Sequence, residues 1–120
     1  MEGRKPPKES EIQKSILQYL RLKKLPCWRM NVLGIPLVTG GFRPNKEMQG
    51  VADIHVIVQQ QGLGISAWLE VKRPKGKQSD NQKVFQEAVE KAGGLYAIVH
   101  SVEEVAEWLA KNHFKKEVGG

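Results

Sequence analysis

Cysteine is nearly absent from this sequence, and its scarcity limits the kinds of protein that the chain can be. Cys27 is the single cysteine among 120 residues, which excludes internal disulfides and a cysteine-based zinc cluster. Apolar runs are also short, and none approaches the roughly 18 residues of a membrane-spanning helix. No apolar segment follows the basic residues of the N-terminus, so the pattern of a secretory signal is missing. We therefore expect an intracellular, cytoplasmic protein without a membrane partner.

Acidic residues are outnumbered by basic ones. The chain has 13 Asp and Glu against 19 Lys and Arg, which gives a net charge of +6. An excess of cations suits a polyanionic partner such as nucleic acid, although many small basic domains bind nothing in particular. At this length we expect one small domain with a modest core, for which dimerisation is a natural way to bury more surface.

The sequence divides into a basic arm over residues 1–8, one domain over residues 9–114 and a tail over residues 115–120. Apolar residues at helical spacing predict a first helix that begins near Pro7 or Lys8 and ends near Lys23 or Lys24. A short strand follows over residues 27–32, and the Gly- and Pro-bearing residues 33–49 are expected to form one long loop.

The second half of the chain alternates between strands and helices. Two β-prone runs, at about residues 51–59 and 64–72, are expected to form a hairpin. A helix is predicted from the capping-box residue Ser79 to about residue 92, then a central strand over residues 95–100 and a final helix capped by Ser101. The residues from Lys111 onward are polar, and we expect them to fray. The sequence thus predicts an α/β protein with a mixed sheet flanked by helices, in the order α-β-β-β-α-β-α.

The hairpin carries charged residues where charge is costly. Asp53 and Glu70 each lie in an apolar run, and a buried charge is unfavourable unless something pairs with it. A turn at Gln61 and Gly62 would place Asp53 opposite Glu70. Lys72 is two residues beyond Glu70, so both would share one face of their strand.

Two acids beside a lysine favour a site for a hard divalent cation. Mg²⁺ prefers oxygen ligands, and Asp53, Glu70 and the carbonyl of Val71 could supply them. Hydrolysis of a phosphodiester needs an activated water and a Lewis acid at the phosphate. Lys72 could orient or deprotonate that water, or offset charge in the transition state.

A third acid is expected from the first helix. Glu9 falls at helical spacing with the apolar residues that should face the sheet, whereas Glu11 groups with polar positions. Glu9 is therefore the candidate and Glu11 the alternative. The opposing interpretation is that an acid in a first turn is favoured by the helix dipole alone.

Several of these segments together resemble a known family. The pieces are Glu9-x-x-Ile12-Gln13, Trp28-Arg29-Met30-Asn31, Gly50-Val51-Ala52-Asp53, Glu70-Val71-Lys72 and Ser79-x-x-Gln82. In this order and spacing they resemble a VRR-NUC domain of the PD-(D/E)XK nuclease superfamily, over about residues 9–100. Ala52 stands where the superfamily motif has proline, which leaves the carboxylate of Asp53 in place.

The resemblance implies a restriction-endonuclease-like core and metal-dependent cleavage of DNA. It implies Mg²⁺ or Mn²⁺ as the cofactor, held by Asp53, Glu70 and the Val71 carbonyl with help from Glu9, and no small-molecule cofactor. It implies Lys72 as the catalytic lysine and Gln82 as an accessory group. Stand-alone members of this size resemble phage proteins that act as homodimers on branched DNA. For a phage protein, the location would be the host cytoplasm.

Each further candidate has a plain structural alternative. Gln82 and Ser79 fit a capping box, which explains both without catalysis. Candidates for DNA contact are Arg29, Asn31, Lys75 and Lys77. The first two alternate with apolar residues as in any half-buried strand, and the lysines could form a solvated turn. His55 is more easily explained by packing or hydrogen bonding than by metal binding. Trp28, Trp68 and Trp108 read as core or dimer contacts.

The sequence thus predicts a homodimeric, Mg²⁺- or Mn²⁺-dependent DNA endonuclease, with a four-way junction as the leading substrate. The choice of substrate rests on the resemblance. The alternatives are a nicking, flap or restriction-like endonuclease that uses the same site, or a nucleic-acid-binding module whose nuclease site no longer works.

Overall fold

A mixed β-sheet organises the computed structural model, which describes residues 7–30, 35–43 and 46–115. The elements are α1 (Glu9–Leu22), β1 (Cys27–Arg29), β2 (Ile35–Pro36), β3 (Phe42–Arg43), β4 (Ile54–Gln60), β5 (Leu63–Val71), α2 (Asp80–Lys91), β6 (Leu95–Val99) and α3 (Val102–Asn112). The main sheet has the order β1-β4-β5-β6, with β5 parallel to β6 and the other neighbours antiparallel. The predicted α/β class with a mixed sheet is confirmed. None of the helices in these ranges has the length and apolar character needed to cross a bilayer.

The β4–β5 hairpin forms as predicted and sets the register of the sheet. Gln61 and Gly62 make the turn with φ angles of 53° and 86°. Two successive positive φ angles give a two-residue turn whose twist matches that of antiparallel strands. The register pairs Ile54 with Leu69, so one step further the residue opposite Asp53 is Glu70.

One face of the sheet forms the hydrophobic core. Alternate residues of β4 and β5 are fully buried there, namely Ile54, Val56, Val58, Ala67, Leu69 and Val71. Ile16 and Leu20 of α1 and Val105 of α3 are buried in the same cluster. Full burial of such a side chain contributes about 1.5–3 kcal/mol, and α1 and α3 are therefore held on this face.

The opposite face of the sheet carries the candidate site, and we call it the site face. Asp53, His55, Trp68, Glu70 and Tyr96 lie on it, because side chains alternate between faces along a strand. The helix α2 packs against this face through Phe85, whose ring lies edge-on to Trp68 with centroids 5.0 Å apart. No residue of α2 is buried, so this helix is held by a small number of contacts.

The prediction of one long loop over residues 33–49 is wrong. β2 and β3 pair in antiparallel fashion, and a short 3₁₀ helix follows at Lys46–Met48. Gly40 and Gly41 have positive φ angles, and the backbone N–H of Leu37 donates to the carbonyl of Gly41 at 3.0 Å. Glycine allows this tight reversal, which composition alone does not distinguish from an open loop.

Two predictions for the last third of the chain also need correction. β6 lies at the edge of the main sheet in the described part of the chain, not at its centre. Its apolar run arises because Val99 joins the core while Tyr96 lies under Phe85. Beyond α3 the chain does not fray at once: the N–H of Phe114 donates to the carbonyl of Gln59 at 2.8 Å.

Candidate active site

The loop before β4 positions the first carboxylate. Gly50 has a φ angle of 81°, and a Cβ atom there would lie 2.3 Å from the backbone oxygen of Asn81 in α2. Only glycine allows the loop to approach the start of α2 this closely. Three residues on, Asp53 accepts a hydrogen bond through Oδ2 from the backbone N–H of Val71 at 2.7 Å. Because β4 begins only at Ile54, the acceptor for this N–H of β5 is the carboxylate of Asp53 and not a backbone carbonyl.

The second carboxylate is deeply buried. Glu70 is 2% exposed, and its Oε2 atom accepts a hydrogen bond from Nε2 of Gln82 at 2.8 Å. The Nζ atom of Lys72 lies 3.7 Å from the same oxygen. The other oxygen, Oε1, is buried and receives no hydrogen bond from the described residues. An orphaned carboxylate oxygen is costly unless a proton or a cation occupies it.

The pKa values of both carboxyl groups are raised. Burial raises the pKa of Glu70 from its usual 4.5 to about 8, and the negative charge of Asp53 adds to the rise while Lys72 opposes it. Burial also raises the pKa of Asp53, against the hydrogen bond from Val71. A cation between the two acids would relieve this repulsion, so the pair has the chemistry of a site for a hard divalent ion.

The backbone adds a further oxygen on this side of β5. In an extended strand, the N–H and C=O of one residue point to the same side. The N–H of Val71 points toward Asp53, and its carbonyl is therefore directed to the same side of the strand. This orientation suits the ligand role that the resemblance implies for Val71.

Lys72 is held beside the acids by the turn that follows β5. Its side chain is 15% exposed, and its backbone N–H donates to the carbonyl of Val99 at 3.0 Å. A Cβ atom at Gly76 would lie 3.4 Å from two carbons of the Lys72 side chain. The turn therefore packs against the lysine stem and limits its motion, while leaving the ammonium group near Glu70.

Gln82 forms the capping box and also contacts Glu70. The side-chain Oε1 atom of Gln82 accepts a hydrogen bond from the backbone N–H of Ser79 at 2.8 Å, and the backbone N–H of Gln82 donates to the Ser79 hydroxyl at 3.2 Å. These bonds form the predicted capping box. The Nε2 atom of the same amide donates to Glu70. One side chain thus caps the start of α2 and contacts Glu70, which together with Asp53 forms the acid pair.

The structure distinguishes the two acids of α1 by position. Glu9 is half-buried and Glu11 is exposed. The charge of Glu9 raises the pKa of both Asp53 and Glu70. In the described part of the chain, no hydrogen bond or ion pair joins Glu9 to either acid, so its influence is electrostatic.

Three of the four candidate DNA contacts lie in the described part of the chain, and no hydrogen bond there joins any of them to Asp53 or Glu70. Lys75 and Lys77 are exposed in the turn after β5. Arg29 is also exposed, and one of its guanidinium nitrogens donates to the carbonyl of Ser10 in α1 at 3.3 Å. Asn31, the fourth candidate, lies outside the described residues.

Sequence reasoning missed two further features of polar residues, one on α1 and one on the site face. Gln13 of α1 is 4% exposed, and its Oε1 atom has no hydrogen-bond partner among the described residues. The signal was present, since Gln13 belongs to the helix motif that carried the resemblance. On the site face, Ser66 bonds to both His55 and Trp68 through its hydroxyl. Burial lowers the pKa of His55, and this histidine is packed and hydrogen-bonded.

The two acids are not joined by a third metal-ligating side chain in the described part of the chain. Over residues 7–30, 35–43 and 46–115, no three His, Cys, Asp or Glu side chains form a group that could hold a metal ion. The side chains of Asp53 and Glu70 thus stand as a pair, and other ligands would come from backbone, water or substrate. Comparison with known proteins found no matching family model, no matching curated protein and no matching solved structure.

Proposed function

We propose that this chain is a divalent-metal-dependent DNA endonuclease with a PD-(D/E)XK core of the VRR-NUC type. The observation that carries the proposal is the joint placement of Asp53, Glu70 and Lys72 on one face of adjacent strands. The acids are opposite each other, and the lysine ammonium lies 3.7 Å from Glu70. A fully buried acid and a half-buried one, both with raised pKa values and beside a cation, are typical of a catalytic site.

Mg²⁺ or Mn²⁺ fits the donor set that the chain offers. Asp53, Glu70 and the Val71 carbonyl would hold the ion, and the nearby charge of Glu9 would assist. The hydrogen-bonding contact between the carboxyl groups of Asp53 and Glu70 supports this fit, because a cation can take the place of the proton that the two acids share. When bound, such an ion supplies a Lewis acid for the phosphate and an acidified water.

The remaining side chains of the site have distinct roles in the proposed reaction. Lys72 orients or deprotonates the attacking water, or offsets the charge that develops on the phosphate. Gln82 holds the Glu70 carboxylate in one orientation through its 2.8 Å hydrogen bond. A carboxylate that is fixed before substrate binds needs no reorganisation during the reaction.

DNA is the substrate that the charge of the chain favours. The net charge is +6, and Lys75 and Lys77 follow directly on the strand that carries Glu70 and Lys72. Arg29 and Asn31 complete the proposed contacts with phosphates. Cations that neutralise phosphates make binding dependent on salt concentration, which gives the DNA contacts a separate experimental signature.

The proposed substrate is a four-way junction cut by a homodimer. Two active sites related by a two-fold axis would cut two symmetric strands. Cleavage at nicks, flaps or duplex sites by the same residues is the first alternative. The second is a DNA-binding module without activity, and the complete set of Asp53, Glu70 and Lys72 favours the enzyme over it.

A cleavage panel tests this proposal. Labelled four-way junction, flap and linear duplex are incubated with Mn²⁺ or with EDTA. We expect Mn²⁺-dependent paired cuts in the junction, and a rate lower by about 100- to 10,000-fold in Lys72→Ala. Lys111→Ala removes an exposed lysine at the end of α3 and controls for the loss of one positive charge.

The same panel can contradict each part of the proposal. Cuts in flaps or duplex but not in the junction would replace the substrate while keeping the site. Full activity in Asp53→Ala would make the catalytic assignment wrong. Binding without cutting in any metal would favour the inactive module. Sedimentation of a monomer at micromolar concentration would contradict the paired-cut mechanism.

A further inference from the structure

A ladder of aromatic rings crosses the site face from one side of the sheet toward the other. Trp28, His55, Trp68 and Tyr96 are successive cross-strand partners on β1, β4, β5 and β6. The ring centroids of Trp28 and His55 are 5.5 Å apart, and those of His55 and Trp68 are 4.2 Å apart and nearly parallel. Adjacent rings at such distances support one another.

Hydrogen bonds fix the middle of this ladder. The indole N–H of Trp68 donates to the Ser66 hydroxyl at 3.0 Å, and the same hydroxyl lies 2.8 Å from Nε2 of His55. Phe85 of α2 covers Trp68 edge-on and also contacts Tyr96. The orientation of the rings is therefore set before any ligand binds.

The ladder is covered at one end and open at the other. Trp28 is 49% exposed, although the sequence predicted a core or dimer contact. It lies on β1, at the edge of the main sheet in the described part of the chain. One side of its ring is supported by His55, and a substantial part of the indole remains open to solvent.

Trp28 lies close to the acid pair and on the same face. Its cross-strand partner His55 is two residues from Asp53. Strand geometry therefore gives a separation of about 8 Å between the Cα atoms of Trp28 and Asp53. The N–H of Met30 donates to the carbonyl of Asp53 at 2.7 Å, which ties the two segments together. One or two nucleotides of a DNA strand can span this distance.

We propose that Trp28 stacks on an unpaired base of the DNA strand that is bound for cleavage. The inference rests on the proposed nuclease function and adds a substrate preference to it. Bases within a continuous duplex are covered by their neighbours, whereas an unpaired base offers a free face to an aromatic ring. Trp28 therefore selects DNA with unpaired bases beside the cut, such as an open branch point or a gap. The proximity to the acids and the net charge favour a base over a second copy of this chain as the occupant.

Binding without cleavage tests the inference. In EDTA, the protein is titrated into gapped DNA that carries 2-aminopurine as the unpaired base, and into the same DNA fully paired. We expect the fluorescence of 2-aminopurine to be quenched by the natural chain and by Trp28→Phe. In Trp28→Leu we expect no quenching, and affinity for gapped DNA lower by about 10-fold or more with little change for duplex. Phe114→Leu, which alters an exposed aromatic residue at the far end of β4, should bind like the natural chain.

Three outcomes of the measurements without cleavage would overturn the inference. Equal weakening on gapped and paired DNA would mean that Trp28 only adds general affinity. Unchanged binding in Trp28→Leu would mean that it does not contact DNA. A change from dimer to monomer in sedimentation of Trp28→Leu would assign Trp28 to a second copy of the chain.

Cleavage separates this inference from the proposed function. If the natural chain cuts DNA and Trp28→Leu keeps the same preference for gapped substrate, only the inference fails. If the natural chain shows the expected quenching but cuts nothing in Mn²⁺, the nuclease proposal fails instead.

Discussion

The amide of Gln82 donates a hydrogen bond to the buried carboxylate of Glu70 at 2.8 Å while its oxygen caps the helix that carries it. The start of α2 and the orientation of Glu70 are therefore coupled through one side chain. This coupling links the stability of a lightly packed helix to the geometry of the candidate site. The effect on helix stability and the effect on the site can be measured separately.

Ser79→Ala and Gln82→Leu should both lower stability, the second by more because it leaves Oε2 of Glu70 without a partner, and only the second should act directly on activity. Each disrupts the capping box, which we expect to lower the free energy of unfolding by about 1 kcal/mol. Only Gln82→Leu also removes the hydrogen bond to Glu70, so we expect cleavage to slow by about 10- to 100-fold. Urea denaturation and single-turnover kinetics measure the two effects. An equal loss of rate in Ser79→Ala would show that Gln82 acts only through the helix.

The stability of the metal-free protein should fall as pH rises. The pKa of Glu70 is raised to about 8 from a usual value of 4.5. The folded state therefore holds a proton that the unfolded chain releases between these values. The stabilisation is complete below about pH 4.5 and is lost as pH rises through about 8, with a size on the order of a few kcal/mol.

Glu70→Gln is the matched control for this pH dependence. Denaturation in EDTA across that pH range should show the decrease in the natural chain, and a much smaller decrease in the variant. Mn²⁺ should restore stability at pH 8 in the natural chain alone, because a cation replaces the proton between the acids. Parallel pH profiles for the two proteins would contradict the raised pKa of Glu70.

Glu9→Gln should weaken binding of Mn²⁺ several-fold, and Glu11→Gln should leave it nearly unchanged. Both changes remove one negative charge from the first turn of α1. Only the charge of Glu9 acts on both Asp53 and Glu70. Isothermal titration with Mn²⁺ distinguishes the variants. A larger effect of Glu11→Gln would reverse the assignment of faces on α1.

Gly50→Ala should be more destabilising than Gly93→Ala. Both glycines have positive φ angles, but a Cβ atom at Gly93 meets nothing within 4 Å, whereas at Gly50 it collides with the backbone of Asn81. We expect about 1–2 kcal/mol for the conformational strain in either variant, and a further loss of about 1–3 kcal/mol from the collision in Gly50→Ala. Thermal unfolding measures the difference, and equal losses would mean that the loop moves away from α2 at little cost.

The parts of the fold that follow from short-range patterns could be predicted from the sequence. The two-residue period of a strand and the turn at Gln61 and Gly62 were sufficient to place Asp53 opposite Glu70. Helical spacing predicted that Glu9, and not Glu11, faces the sheet. These inferences need only the geometry of single elements and one turn.

The missed features depend on which elements become neighbours. The edge position of β6 and the exposure of Trp28 follow from the order of strands, which the local pattern does not encode. The alternating sequence pattern around Trp28 is the same whether or not a helix covers the face of the strand that carries this side chain. Gln82 was ambiguous for another reason: an amide has both a donor and an acceptor, and the sequence cannot show that they serve different partners.

The short bridge between Phe114 and Gln60 has a practical consequence for anchoring the molecule. The chain leaves α3 and runs beside the end of β4, six residues from the start of that strand. At about 3.3 Å per residue, this exit lies about 20 Å from the end of β4 where Asp53 precedes the strand. A fluorophore attached at the exposed Lys115 would therefore lie near the far end of β4. Attachment to a surface through this position would leave the acid pair about 20 Å from the point of attachment.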